Sequence, residues 1–359
     1  MIVIGDIGSA KALLPIIQWL FAHHEKYKIN VVADDKGKGV QILKKSPYGY
    51  LPFSAVNQSP FMNHWNQYPP DLVLIGTSAT AITAQVKITE LAQDKDIPVV
   101  WLEDFWGTAN NAGVKKVTPD YLFVLDSASP GRNNAQKFIT GNPAFDQLAN
   151  WNVAEIRQRR RQEMGISMDQ KVVTFFGPGY SSEYPARLFE AVALLAPTLT
   201  EQKALFLPIF HPKDETLGPG FEAMFRNWAA KPKNAPFPVR LDAYAFVNDP
   251  TELVCVSDVT AAISSTELLS ACLLKVPAVS VIGRQGREFL QSLGMGGGLP
   301  CVRNNSVESL DDTQPTSLTR LLGNKVYRDA VIAYQQQSYP NDGSATDRVI
   351  ARINQILGL

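Results

Sequence analysis

The sequence has few of the residues that cross-link a protein or hold it in a membrane. Its three cysteines, Cys255, Cys272 and Cys301, are an odd number without C-x-x-C spacing, and two of them lie in apolar runs. This pattern argues against a disulfide framework or a zinc site and favours reduced, packed thiols. No apolar run approaches the roughly 18 residues of a membrane-spanning helix, and no basic segment precedes the first apolar residues as it would in a secretory signal. We therefore expect a cytoplasmic protein.

An excess of either charge is also missing. The chain has 34 Lys and Arg residues against 34 Asp and Glu residues, so no net field draws it to nucleic acid or to an anionic membrane. The most concentrated basic run is Arg157, Arg159, Arg160 and Arg161, in a polar helical stretch. Such a run is typical of a solvated helix face, and phosphate or weak peripheral membrane contact is the alternative. The composition predicts no nucleic-acid partner.

What the chain does contain is a series of strand and helix patterns long enough for two domains. It has 359 residues, 45% of them hydrophobic, which suggests two cores more readily than one. In the first half, DLVLIG predicts a strand, TSATAITAQVKITELAQDKD a helix and IPVVWLED a second strand. This βαβ pattern requires a parallel sheet with a right-handed crossover. After a polar stretch, KVVTFFG begins a second series of the same kind.

The predicted fold class is therefore α/β, with two Rossmann-like parallel-sheet domains and a cleft between them. We expect an N-terminal domain at 1–150, a linker at 151–165, a second domain at 166–335, and a C-terminal helix at 336–359 that crosses back to the first domain. The stretch 47–70, rich in Pro, Asn and Gln, predicts a loop.

Two carboxylates follow a predicted strand of the first domain. Glu103 and Asp104 leave its C-terminal end, the edge where open α/β sheets bind ligands. Paired carboxylates can supply a general base, because crowding raises the pKa of one of them. The alternative is a solvated loop with an N-cap Asp. We place an acceptor substrate on this domain, beside Gly8, Ser9 and Trp106.

Three strand ends of the second domain carry groups suited to a phosphate. These groups are Gly177, Gly179 and Tyr180; then His211 and Pro212; and, after the apolar run 254–263, Ser264, Ser265 and Thr266. Helix N-terminal amides, hydroxyls and histidine all donate to phosphate, and His211 could also protonate a leaving oxygen. Because the carboxyl ends of parallel strands share one edge, the three sets can converge. The alternative is that H-P is only a rigid turn and S-S-T only a helix cap.

In this order the motifs resemble those of the GT-B superfamily of glycosyltransferases and of the related non-hydrolysing nucleotide-sugar 2-epimerases. PDLVLIGTSATAITAQVKITELAQDKDIPVVWLED is similar to their "PD-strand, helix, G-I-P-V-V" segment, and FVLDSASPGRNNAQKFITGNPAFDQL to their V-x-G-N-P-x-x-D segment. AISSTELLSACLLKVPAV resembles their nucleotide-binding helix, S-S-T-x-x-x-E-A-x-x-x-G-x-P. Bacterial sialyltransferases likewise carry an acidic pair, then H-P, then S-S/T. The resemblance spans nearly the whole chain.

The resemblance implies an enzyme that transfers a nucleotide-activated sugar to a hydroxyl of an acceptor glycan or lipid, in saccharide or cell-surface polysaccharide synthesis. Asp104 or Glu103 would be the base, with His211 and Ser265 on the nucleotide phosphate. The family's ribose-binding Glu is Ser270 here, and Glu267, one helical turn earlier, would take its place. No cofactor and no metal are expected. A nucleotide-sugar 2-epimerase and a non-catalytic nucleotide-sugar-binding protein are the alternatives.

Overall fold

The chain forms two compact α/β units. The computed structural model describes residues 1–78, 81–177, 184–210, 220–231, 234–247, 249–292, 295–296 and 298–359. Unit 1 comprises Met1–Ala149 together with Asp342–Leu359, and unit 2 comprises Asn150–Asn341. Each unit has its own parallel sheet, which confirms the predicted α/β fold class.

Unit 1 is built on a sheet of seven described strands, all paired in parallel. They are β1 (Ile2–Ile4), β2 (Val31–Asp34), β3 (Leu51–Phe53), β4 (Val73–Gly76), β5 (Val99–Leu102), β6 (Tyr121–Val124) and β7 (Gln136–Ile139). The order across the sheet is β3-β2-β1-β4-β5-β6-β7. The strand order therefore reverses between β1 and β4.

Helices cover both faces of this sheet. They are α1 (Ile7–Ala22), α2 (Val40–Leu43), α3 (Ser59–Gln67) and α4 (Thr83–Gln93). Because successive strand residues point to opposite faces, Ile2 and Ile4 pack in one core with α1, whereas Val3 packs in a second core with α3 and α4.

The loop predicted for residues 47–70 is wrong, because this stretch contains β3 and α3. Three of its aromatic residues, Phe53, Phe61 and Trp65, are at most 2% exposed. Phe53 meets Phe61 edge to face at 5.1 Å between ring centroids. Burial of these large side chains outweighs the polar composition around them.

Unit 2 has a sheet of five described strands, also parallel throughout. They are β8 (Val172–Phe176), β9 (Leu205–Ile209), β10 (Val259–Ala262), β11 (Ala278–Val281) and β12 (Glu308–Leu310). The order is β12-β11-β10-β8-β9, so the reversal lies between β8 and β10.

Nine described helices surround the second sheet. They are α5 (Val153–Glu163), α6 (Tyr184–Glu201), α7 (Gly220–Ala229), α8 (Glu252–Val256), α9 (Thr266–Leu274), α10 (Arg284–Ser292), α11 (Pro300–Arg303), α12 (Ser317–Gly323) and α13 (Lys325–Ser338). Asn152, Ser265 and Asn324 begin α5, α9 and α13 as N-caps whose side chains accept a backbone N–H. Such caps satisfy amides that have no partner within the helix. The stretch expected as a linker, 151–165, contains α5, and α13 also lies in unit 2.

The arginine run on α5 was predicted to be a solvated face, but of its four arginines only Arg159 is exposed. Arg157 and Arg161 both donate to the carboxylate of Asp258, at 2.7 and 2.8 Å, and Arg160 pairs with Glu252 at 2.6 Å. Arg161 is fully buried and also donates to backbone carbonyls, among them that of Val256 at 2.9 Å. These partners make the run a structural clamp within unit 2, and they exclude Arg161 from membrane contact.

The apolar run 254–263 is not one strand, because its first residues belong to α8 and only Val259–Ala262 form β10. Helix C-termini leave carbonyls without partners in the helix. Arg157 satisfies those of Val256 and Ser257, with N–O distances of 3.1 and 2.6 Å. The end of α8, which separates it from β10, is therefore stabilised by a residue about a hundred positions earlier in the chain.

The last helix, α14 (Ala345–Leu357), belongs to unit 1. Its buried residues Val349, Ile350 and Ile353 share a core with Leu13 and Leu20 of α1. Its first turn is held by Asp146, which accepts the N–H groups of Ala345 and Thr346, each at 2.8 Å.

The three cysteines are free and buried, which confirms the prediction of packed thiols. Burial raises the pKa of Cys255 to about 12. Within the described ranges, no helix is both long and apolar enough to cross a membrane.

Candidate functional site

The acidic pair lies at the carboxyl edge of the unit 1 sheet, next to the point where the strand order reverses. Glu103 and Asp104 follow β5 directly, and Thr77 follows the neighbouring strand β4. In open α/β sheets, ligands bind in the crevice that such a reversal creates. The fold therefore places these groups at the expected ligand-binding edge of unit 1.

Asp104 is fixed through one of its two carboxylate oxygens. Oδ1 accepts hydrogen bonds from Thr77 Oγ1 at 3.2 Å and from Thr108 Oγ1 at 3.1 Å. The two hydroxyl oxygens are themselves 2.7 Å apart. On the other side of the residue, Asn142 Nδ2 donates to the main-chain carbonyl of Asp104 at 3.0 Å. Asp104 is thus held by Thr108 of its own loop and by residues that follow β4 and β7.

The second oxygen of Asp104 lies against the first turn of α1. A Cβ atom built on Gly8 would be 2.1 Å from Asp104 Oδ2, closer than any non-bonded contact allows. Only glycine therefore leaves room for the carboxylate in this position. The sequence analysis placed Gly8 on the acceptor side, and the structure brings Gly8 and Asp104 together.

The two carboxylates differ in their electrostatics. Burial raises the pKa of Asp104 to about 6, although the hydroxyls of Thr108 and Thr77 favour its charged form. Burial also raises the pKa of Glu103 well above its usual range, and the negative charges of Asp104 and Asp126 add to the effect. Carboxylates with pKa values perturbed by burial and by neighbouring charges are typical of acid–base sites.

The residues predicted for the unit 1 site also differ in how much of their surface is exposed. Asp104 is half-buried, whereas Glu103 and Ser9 have no exposed surface and Trp106 is 1% exposed. Ser9 Oγ accepts the N–H of Gly5 and donates to the carbonyl of Asp6, and Trp106 Nε1 donates to Asp126 at 2.8 Å. Glu103, Ser9 and Trp106 thus lie beneath the edge, and Asp104 reaches it.

Unit 2 has a second reversal of strand order, between β8 and β10, and in open α/β sheets this is the place where ligands bind. Gly177 follows β8, and Ser264, Ser265 and Thr266 follow β10. Ser265 Oγ accepts the N–H of Glu267 at 3.2 Å, so it is the N-cap of α9, as the simpler sequence interpretation expected.

Most of the other residues predicted for this edge lie outside the described residues. They are Gly179, Tyr180, His211 and Pro212. Glu267, in the first turn of α9, accepts a hydrogen bond from Thr251 Oγ1 at 3.4 Å. The ranges that the structure describes contain no cluster of three or more His, Cys, Asp or Glu residues suited to a metal ion.

Sequence reasoning missed two hydroxyls of the unit 1 site, those of Thr77 and Thr108. A polar residue directly after a buried strand is a usable signal, and Thr77 has it in the sequence VLIG-T. Thr108 gave no such signal, because it follows Gly107, whose φ of 77° turns the chain back toward β5.

Comparison with known proteins supports a fold assignment. No family model and no curated protein matches this chain. Among solved structures, the UDP-GlcNAc 2-epimerase from Neisseria meningitidis, bound to UDP-GlcNAc, aligns with a TM-score of 0.64 at 15% identity, covering 99% of this chain and 100% of that one. MurG from Acinetobacter baumannii aligns at 0.59 with 14% identity, covering 99% of both chains. The wall teichoic acid polymerase TagF aligns at 0.55 with 13% identity, covering 99% of this chain and 88% of that one.

All three structures are at most 15% identical to this chain, so the likeness concerns the fold alone. The protein thus has the two-domain GT-B fold, as the resemblance in its motifs implied.

Proposed function

We propose that this protein is a glycosyltransferase that takes a nucleotide-activated sugar as donor and transfers the sugar to an acceptor hydroxyl. Unit 1 supplies the acceptor side and unit 2 the donor side. The observation that carries the proposal is Asp104, a carboxylate with a pKa of about 6, held at the ligand-binding edge of its sheet.

Asp104 is suited to remove the proton of an acceptor hydroxyl. A general base works best when its pKa lies near the operating pH, because it is then both ionised and basic. Oδ1 is held by Thr77 and Thr108, so the charge is fixed in place before a substrate arrives. Glu103 has no exposed surface, and its role is to support the loop above it rather than to touch the substrate.

The donor side rests on the start of α9. Backbone N–H groups at a helix N-terminus and the hydroxyls of Ser264 and Thr266, both half-buried, are suited to a nucleotide phosphate. The neighbours include one epimerase bound to UDP-GlcNAc and one polymerase soaked with CDPG. A nucleotide-sugar donor is the ligand class that fits both the edge and the fold.

The experiment has two stages. A thermal-shift screen with CMP, CDP, UDP, GDP, dTDP and their sugars finds the donor, since a ligand at a hundred times its Kd stabilises by about 2.7 kcal/mol. Sugar transfer or donor hydrolysis is then measured for Asp104→Asn. We expect turnover to fall by about 10² to 10⁴ with little change in donor Kd. Equal turnover in the variant and the parent would rule out Asp104 as the base.

A nucleotide-sugar 2-epimerase is the second candidate, favoured by the epimerases among the solved neighbours. It differs from a transferase in its product, because inversion at C2 leaves the nucleotide attached. Proton NMR of the donor after incubation without acceptor separates the two. A C2-inverted sugar still bonded to its nucleotide would replace the transferase proposal with the epimerase.

A further inference from the structure

We propose that Thr77 and Thr108 are positioning residues that together hold Oδ1 of Asp104, leaving Oδ2 as the oxygen that takes the substrate proton. The inference rests on the proposed role of Asp104 as a base and extends it to the loops that orient the carboxylate. It is carried by the geometry of the three side chains.

The three oxygens form a closed triangle. Thr77 Oγ1 and Thr108 Oγ1 are 2.7 Å apart, and they lie 3.2 and 3.1 Å from Asp104 Oδ1. Thr77 comes from the end of β4, whereas Thr108 comes from the loop after β5. Thr108 lies four residues after Asp104, whereas Thr77 lies 27 residues before it, so the triangle forms only when β4 and β5 are paired.

The hydrogens of this triangle can be assigned by counting. Each hydroxyl has one hydrogen to donate. Thr77 Oγ1 accepts the N–H of Asp104 at 3.4 Å, and its own hydrogen goes either to Oδ1 or to Thr108 Oγ1. Thr108 has two acceptors in reach besides Oδ1, Thr77 Oγ1 and the carbonyl of Phe105 at 2.8 Å. Both oxygens cannot point lone pairs at each other over 2.7 Å, so one hydroxyl donates to its partner and the hydrogen of the other is free to reach Oδ1.

When Thr77 donates to Thr108, the hydrogen of Thr108 can follow the charge on Asp104. If the carboxylate is ionised, the stronger acceptor is Oδ1, and the hydrogen lies within the triangle. If Asp104 is protonated, the carbonyl of Phe105 becomes the better acceptor. The pair thus favours the ionised carboxylate through Oδ1 alone, and Oδ2 lies against Gly8.

The loop that carries Thr108 is itself held from outside. Arg132 donates to the carbonyls of Ala109 and Val114, each at 2.6 Å, and its guanidinium lies 5.2 Å from the ring centre of Trp101. A side chain that positions a base works only if its own location is fixed. The Arg132 contacts supply that rigidity to the segment next to Thr108.

The charged groups around Asp104 act against ionisation. Asp6, at the start of α1, bears a negative charge that disfavours the ionised form of Asp104. Glu103 lies on the same strand end, and burial raises its pKa well above the usual range. The two threonine hydroxyls are thus the side-chain groups that oppose the effects of burial and of Asp6.

The test measures the pKa of Asp104 directly, by ¹³C NMR of its carboxyl carbon across pH. Thr77→Val and Thr108→Val keep the side-chain shape and remove the hydroxyl. In each, we expect the acid ionisation constant of Asp104 to fall by about tenfold or more, because a hydrogen bond to the charged form is lost. Thr77→Ser and Thr108→Ser keep the hydroxyl and should restore the parent value.

Thr89→Val is the matched control. Thr89 is fully buried in the same unit and has two hydrogen bonds of its own, to Gln85 and Trp101, but it does not contact Asp104. Its substitution should leave the ionisation of Asp104 unchanged. The double variant of Thr77 and Thr108 should shift the constant by less than the sum of the two single changes, because the hydroxyls bond to each other.

An unchanged ionisation constant in both valine variants would overturn the proposal, and it would leave the role of Asp104 as a base in place. The pH profile of kcat/KM provides the second reading. If the constant moves and the acid limb of the profile moves with it to higher pH, both inferences are supported. If the constant moves and the acid limb does not, Oδ2 of Asp104 is not the proton acceptor, and the proposed function fails with it.

Discussion

Replacing Asp104 by Asn should make unit 1 more stable relative to the wild type as pH rises from acid to neutral, although the same change is expected to lower turnover by about 10² to 10⁴. The folded protein raises the pKa of Asp104 from its ordinary 3.8 to about 6. Between these values the folded state binds more protons than the unfolded state, so stability falls as pH rises through the window. Above the folded-state pKa, the buried charge of Asp104 lowers the free energy of unfolding of the wild type by its full amount, and the Asp104→Asn variant has no such charge.

The magnitude follows from the gap between the two pKa values. Each pH unit is worth about 1.36 kcal/mol, so the gap corresponds to about 3 kcal/mol. This is an upper bound, because Asp104 is half-buried and water screens part of the effect. The hydrogen bonds from Thr77 and Thr108 favour the charged form and are already included in the pKa of about 6. Because pH 4 already lies just above the unfolded pKa, the relative gain for Asp104→Asn between pH 4 and pH 7.5 should be up to about 2.5 kcal/mol.

Urea unfolding followed by tryptophan fluorescence provides the assay. Four of the six tryptophans, at 19, 65, 101 and 106, lie in unit 1, so the signal reports mainly on that unit. Asp94→Asn, at the exposed C-terminal end of α4, controls for loss of one negative charge. A difference between Asp104→Asn and wild type that is the same at pH 4 and pH 7.5 would refute the argument that burial raises the pKa of this carboxyl.

Two further predictions concern packing. Gly8→Ala should lower turnover at least tenfold, because the new methyl group displaces the side chain of Asp104. It should change the free energy of unfolding by less than about 1 kcal/mol, because alanine favours the helix. In an Asp104→Asn background the same change should leave turnover unaffected, and a further loss of turnover there would contradict the clash. Arg161→Met should destabilise unit 2 by about 3 to 5 kcal/mol in chemical unfolding, since Asp258 and several carbonyls lose a buried donor. The control, Arg159→Met, changes an exposed arginine and should destabilise the unit by less than about 1 kcal/mol. Equal losses of stability in the two variants would contradict the proposed structural clamp.

The parallel sheets could be predicted because their strands are short, apolar and separated by helical patterns. β4, α4 and β5 followed directly from the alternation of apolar and amphipathic segments. The carboxyl-edge position of Asp104 followed from the same rule. The local spacing of apolar residues is sufficient to predict a helix or strand when the element is buried on the face where those residues lie.

Long-range contacts decided the features that the sequence did not reveal. The division of 254–263 into α8 and β10 depends on Arg157 and Arg161, whose partners are about a hundred residues away. The same two arginines were expected in solvent, since nothing near them in sequence announces Asp258. Thr108, by contrast, was missed for a local reason, because its contact with Asp104, four residues earlier, follows a left-handed turn at Gly107.

The membership of α14 in unit 1 has a consequence for synthesis of the chain. The apolar face of α1, including Leu13 and Leu20, is completed only by Val349, Ile350 and Ile353. All of unit 2, Asn150–Asn341, must be translated in between, which takes roughly 10 to 40 seconds at about 5–20 residues per second. The domain that leaves the ribosome first is therefore the last to be finished, and until then it presents an uncovered apolar surface on which a chaperone could act.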